Sequence, residues 1–146
     1  MTICTKNRDC LFGEVKNRIM QLNEYGLIVQ ECWNNLIRHY SHITLDEHII
    51  MPNHMHGIIN IDHIQNVGAG LKPAPTGHAL SEIVRALKTF SSRKINKSRN
   101  SPGTHVWQRS YHDRIIRNEH ELVKIREYIR NNPLQWDNDE ENPRNL

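Results

Sequence analysis

Hydrophobic positions along the chain change period several times, and each change marks an element. The opening MTICTKNR reads as a short strand running into a polar turn, and LFGEVKNRIMQL as a hairpin turning near Lys16 and Asn17. From Asn23, a residue type suited to an N-cap, the run NEYGLIVQECWNNLIRHY places Leu27, Ile28, Cys32, Leu36 and Tyr40 on one helical stripe. Two strands follow over about residues 43–50 and 55–61, separated by Pro52-Asn53, since proline cannot donate to a ladder. Residues 62–77, DHIQNVGAGLKPAPTG, are rich in Gly and Pro and lack periodicity, which predicts a flexible surface loop. Beyond it Leu80, Ile83, Val84, Leu87 and Phe90 return to helical spacing, with Arg85 and Lys88 on the flank. After a polar stretch, VWQRSYHDRIIR reads as extended chain. NEHELVKIREYIRNNP then predicts a third helix, capped by Asn118, stopped by Pro133, and facing the sheet with Leu122, Ile125 and Ile129.

This order predicts an α+β domain: a mixed or antiparallel sheet with helices packed on it, formed by all 146 residues as one unit with an acidic tail over residues 137–146. A chain of this length buries about two-thirds of its unfolded surface in one core. The N-terminus lacks the layout of a secretory signal, and no apolar run nears the roughly 20 residues of a membrane span, so a soluble cytoplasmic protein with no membrane partner is expected. Three cysteines without a CxxC pair suggest neither a disulfide framework nor a structural zinc site, and predict reduced packing residues. The formal net charge of +3 says little by itself. Its distribution says more: RALKTFSSRKINKSR, residues 85–99, holds no acidic residue, as a phosphate-binding surface would require. Arg85, Lys88, Arg93, Lys94 and Lys97 are the candidate nucleic-acid contacts.

The stretch MPNHMHG concentrates the candidate chemistry. Side chains alternate along a strand, so His54 and His56 share a face about 7 Å apart, a spacing at which two imidazoles can hold one divalent cation. Two exposed histidines at a strand start would read the same way. A cation polarising a phosphate needs a further ligand and a nucleophile, and the third helix offers both: Tyr128 and Asn132 lie one turn apart. Tyr128 can equally be an amphipathic aromatic at the edge of the core. Trp107 fits a core position better than a base-stacking one.

Taken together, TICTKNR, LFGEV, MPNHMHGII, SEIVRALKTF, VWQRSYHDRIIRNEHEL and REYIRNNP resemble the single-tyrosine HUH transposases, in particular the relatives associated with REP palindromes. The resemblance covers nearly the whole chain. It implies a ferredoxin-like α+β core of the HUH endonuclease type that nicks and transfers single-stranded or hairpin DNA. By that resemblance Tyr128 is the nucleophile forming a 5′-phosphotyrosine link. His54, His56 and Asn132 are the ligands of Mg²⁺ or Mn²⁺, and imidazoles alone would suit Zn, Fe or Ni as well. No nucleotide cofactor is implied, and the chain has no Walker-type or GxGxxG motif. Family members often pair, which makes a homodimer an expectation, and a nucleoid-associated location follows from DNA as partner. Two other readings use the same residues: a hairpin-binding module that does not cut, and a metallohydrolase in which water attacks and Tyr128 is structural.

Overall fold

The computed structural model describes residues 1–62 and 76–146, with side chains of the second stretch from Leu80 onward. Most of the expected loop over residues 62–77 lies outside the described residues, and its end does not, because Thr76 already begins a helix.

Strand β1 (Thr2–Cys4) is followed by the hairpin β2 (Gly13–Lys16) and β3 (Ile19–Leu22), whose two-residue turn sets Asn17 and Arg18 at positive φ. That turn twists with the strands it joins. Helix α1 (Glu24–His39) opens with the Asn23 side chain accepting from the Gly26 amide. Strands β4 (Ile43–Ile50) and β5 (His54–Ile61) form an antiparallel pair, and β1 adds to the other side of β5 in the order β1-β5-β4. Helix α2 runs over Thr76–Ser98 and α3 over Glu119–Arg130, the latter capped as expected by Asn118 Oδ1, which accepts from the Glu121 amide. The architecture is α+β as expected, and every strand pairing among the described residues is antiparallel.

VWQRSYHDRIIR forms no named strand. It runs beside β1 as an irregular edge, with Thr5 opposite Trp107 and Thr2 opposite His112, and Gln108 N–H donating to the Cys4 carbonyl at 2.8 Å. Trp107 is in the core, its ring 5.0 Å from Phe12 and its indole N–H donating to Ser91.

The two faces of β5 divide the molecule. Met55 and Gly57 point toward α1, where a Cβ on Gly57 would lie 2.4 Å from the Trp33 ring. His54 and His56 point the other way, toward α3. That contact with Trp33 also corrects the predicted stripe of α1. The buried residues are Gly26, Val29, Cys32, Trp33 and Leu36, while Leu27 is 58% exposed, because the small Gly26 and the large Trp33 dictate which face meets the body.

Helix α2 continues through the stretch that reads as polar. Ile95 is buried, Ser91 donates to the Leu87 carbonyl while accepting from Trp107, and Asn96 donates to the Thr104 carbonyl. Hydrogen-bonded polar residues thus carry the helix past the point where apolar periodicity stops. Of the three cysteines, Cys4 and Cys32 pack as expected, whereas Cys10 is exposed.

Replacing Gly57 by Ala should cost about 1–3 kcal/mol, since Trp33 is fully buried and has nowhere to retreat. Urea unfolding checks this, and an unchanged midpoint would mean that the Trp33 contact does not constrain the sheet.

Candidate active site

The turn Met51-Pro52-Asn53 joins β4 to β5 and is buried throughout, which proline-containing turns tolerate only when their carbonyls are used. They are: Pro52 O accepts from Phe12 N–H at 3.0 Å, and Asn53 O from Thr5 N–H at 2.8 Å. His54 therefore enters β5 from a fixed point, with a fully buried ring.

The predicted site residues come together. The His54 and His56 rings lie 4.8 Å apart in an edge-to-face arrangement, and the Tyr128 ring stands 5.4 Å from His56. Asn132 is buried at the end of α3 and begins a 3-10 segment (Asn132–Asn138), while its neighbour Asn131 is exposed. The Asn132 amide lies within reach of both the His54 ring and the Tyr128 hydroxyl and favours the charged form of each. Helix α3 is anchored by buried Ile129 and by two ion pairs, Arg126 to Asp46 at 2.6 Å and Arg130 to Glu47 at 2.8 Å. Asp46 and Glu47 fall in the irregular register between Leu45 and His48, which turns them toward the helix. Arg126 holds the Asp46 carboxyl below its usual range.

Each imidazole has one nitrogen engaged and one bare. His54 Nδ1 is 2.9 Å from Asn53 Oδ1, and His56 Nδ1 is 2.7 Å from Thr2 Oγ1. His54 Nε2, His56 Nε2 and Asn132 Oδ1 are buried without a hydrogen-bond partner. Burial lowers the proton affinity of both rings, and for His56, with His54 and the N-terminal ammonium adding to the effect, the pKa falls to about 3. With both rings neutral and the His54 proton on Nδ1, neither His54 Nε2 nor Asn132 Oδ1 has a hydrogen to give the other. A cation relieves such a set of lone pairs, and two neutral imidazoles with an amide oxygen are a donor set that binds one. Among the described residues no group of three His, Cys, Asp or Glu offers an alternative metal site. The residues present fit the implied ion.

Tyr128 is 49% exposed, with its ring against His56 on one side and solvent on the other. Burial of its inner side raises its pKa, Asn132 opposes this, and Asp139, Glu140 and Glu141 add to the rise.

Basic residues of α2 differ in their freedom. Lys88 is committed to structure: its ammonium donates to the carbonyls of Gln108, Arg109 and Ser110 at 2.7, 3.3 and 3.0 Å, and lies over the Tyr111 ring. All three of its hydrogens are used. Lys94 pairs with Glu31 at 3.1 Å. Arg85 is exposed, and Arg93 and Lys97 line a groove of about 710 Å³ between α2 and the segment leading to Arg109.

Several site residues were not evident from the sequence. Thr2 and Asn53 hold the imidazoles, and Trp136 covers His54 with ring centroids 6.1 Å apart. The only signal was position: Asn53 precedes the first histidine of the pair. The acidic tail is also more than a tail, since residues 137–146 fold in short 3-10 turns against the site and Arg8 pairs with Glu141.

Because the His56 pKa drops from 6.5 to about 3 on folding, the unfolded chain binds an extra proton in that window. Stability should therefore fall as pH drops below 6.5 toward 3, by about 2 kcal/mol at pH 5 from this residue. Urea unfolding at two pH values checks it against His56→Gln, whose pH dependence should be shallower; an equal dependence would contradict the assignment.

The family model for IS200-like transposases matches residues 1–132, which include all four candidate residues of the site. An uncharacterised protein of Haemophilus influenzae is 40% identical over 149 aligned residues, spanning 96% of this chain and 82% of the relative. Among the described residues no helix is long and apolar enough to cross a membrane. With a match over most of its length that ends at the last residue of the site, the chain belongs to the IS200-like transposase family.

Proposed function

We propose that the chain cuts and rejoins single-stranded DNA through a covalent link to Tyr128, with His54, His56 and Asn132 holding Mg²⁺ or Mn²⁺ beside the scissile phosphate. The observation that carries this reading is the set of three buried, unpartnered polar atoms, His54 Nε2, His56 Nε2 and Asn132 Oδ1, next to a half-exposed tyrosine. A divalent ion bound there would polarise a non-bridging phosphate oxygen.

The protein's own contribution is alignment. Tyr128 stands over His56 of the same chain, so one copy carries both ligands and nucleophile. Its Oη forms a bond to phosphorus as the bond from phosphorus to the 3′ oxygen breaks. The phenolic proton is released and the 3′ oxygen takes one up. Burial and the acidic neighbours keep the phenol protonated beforehand, so this proton leaves during attack rather than before it. One phosphodiester replaces another, and rejoining needs no nucleotide cofactor.

The groove of about 710 Å³ suits the flanking strand. It is lined by Arg93, Lys97 and Arg109, and its floor, residues 106–109, runs beside β1. That edge is two strand spacings, roughly 10 Å, from β5. Arg85, exposed on the same helix, extends the basic surface. Lys88 and Lys94 contribute less, since the hydrogens of Lys88 are taken by three carbonyls and Lys94 is paired with Glu31.

Two experiments test this. Labelled single-stranded DNA with Mn²⁺ should give a denaturation-resistant adduct with the native chain and none with Tyr128→Phe, whose DNA affinity stays within about twofold. Cleavage surviving in that variant would remove Tyr128 from the reaction, and binding without any adduct would leave a non-cutting hairpin-binding module. Separately, Arg93→Ala with Lys97→Ala should reduce the slope of log affinity against log salt by about 1.4, at roughly 0.7 per phosphate contact on single strands. An unchanged slope would place the strand elsewhere.

A further inference from the structure

We infer that Asn53 is a positioning residue that sets the tautomer of His54, and that the acidic C-terminal segment is the part of the chain that holds Asn53 in place. Asn53 is buried. Its Nδ2 donates to two backbone carbonyls, Glu141 O at 2.7 Å and Arg8 O at 3.1 Å. A carbonyl only accepts, so the NH₂ group must face that side, and Oδ1 must face His54. An amide oxygen also only accepts. His54 Nδ1, 2.9 Å away, therefore carries the ring proton, and the lone pair is left on Nε2, the atom buried without a partner. Three hydrogen bonds fix one ring nitrogen as donor and deliver the other as ligand.

The segment that supplies Glu141 closes on itself. Trp136 covers the His54 ring, Asn142 Nδ2 donates to the Trp136 carbonyl at 2.9 Å, and Arg8 pairs with Glu141 while donating to Glu140 O. Both ends of this short loop thus meet at His54, one through an aromatic face and the other through Asn53. The loop lies beyond residue 132, where the family match ends, so the site is closed on this side by residues outside the matched segment.

That the fixed lone pair serves a metal rests on the function proposed above; that it is fixed does not. The test uses the full-length protein labelled with ¹⁵N-histidine, without metal at neutral pH, followed by calorimetric titration with Mn²⁺. Native His54 should appear as the Nδ1–H form. Asn53→Ala should shift it toward Nε2–H and weaken Mn²⁺ binding by about 10–100-fold, the range expected when a partner of a metal-bound histidine is removed. Asn142→Ala, which loosens the loop without touching either histidine, should move both readouts the same way by less, and it carries the test if Asn53→Ala does not fold. A native Nε2–H tautomer, or a tautomer and affinity indifferent to both substitutions, would overturn the inference. If the tautomer responds as stated but native protein takes up no Mn²⁺, the positioning role stands and the metal-dependent function fails.

Discussion

Three polar atoms buried without a hydrogen-bond partner are costly to fold, at about 1–3 kcal/mol for each unsatisfied group. His54 Nε2, His56 Nε2 and Asn132 Oδ1 are nevertheless brought together from two elements distant in sequence. Much of the surrounding structure serves to hold them there. The buried Met51-Pro52-Asn53 turn fixes the start of β5, Thr2 and Asn53 occupy the other nitrogens of the rings, and two ion pairs hold α3 over the irregular stretch of β4. In the function proposed above a cation would take up those lone pairs, and the adjoining half-exposed Tyr128 would supply the nucleophile.

The sheet separates two tasks. One face of β5 packs its Met55 and Gly57 against α1 and forms the core, where Trp33 presses on the backbone at Gly57. The other face carries the histidines and stays accessible through Tyr128. Period-two alternation along a single strand is enough to place the core on one side and the candidate site on the other. Basic charge is handled by position in a similar way. Lys88, half-buried, clamps the chain beside β1 by binding three consecutive carbonyls, while Arg93 and Lys97, one and two turns further on, face open solvent in the groove.

Much of this was legible in the sequence because it rests on local rules. Asn23 and Asn118 cap the helices they were expected to cap, the hairpin turns within a residue of its predicted place, and HMH on a strand puts both rings on one face. The spacing of Tyr128 and Asn132 survives the change from α-helix to 3-10 turn between them, so the pairing with the histidines could be anticipated. What could not be read depends on partners far along the chain. The burial of Gly26 rather than Leu27 is decided by the backbone at Phe12, and the length of α2 by Trp107 and Thr104 meeting Ser91 and Asn96. The sequence likewise gives no sign that Lys88 faces carbonyls or that an acidic tail returns to Arg8 and Asn53. Charge runs report composition, and only contacts decide which charges remain free.

In the proposed function the two imidazoles and the amide form one metal site. Anomalous diffraction from crystals soaked in Mn²⁺ should show a peak within about 2–2.3 Å of His54 Nε2, His56 Nε2 and Asn132 Oδ1. A peak elsewhere, or ordered water bonded to the two Nε2 atoms at a manganese concentration that supports DNA cleavage, would contradict it.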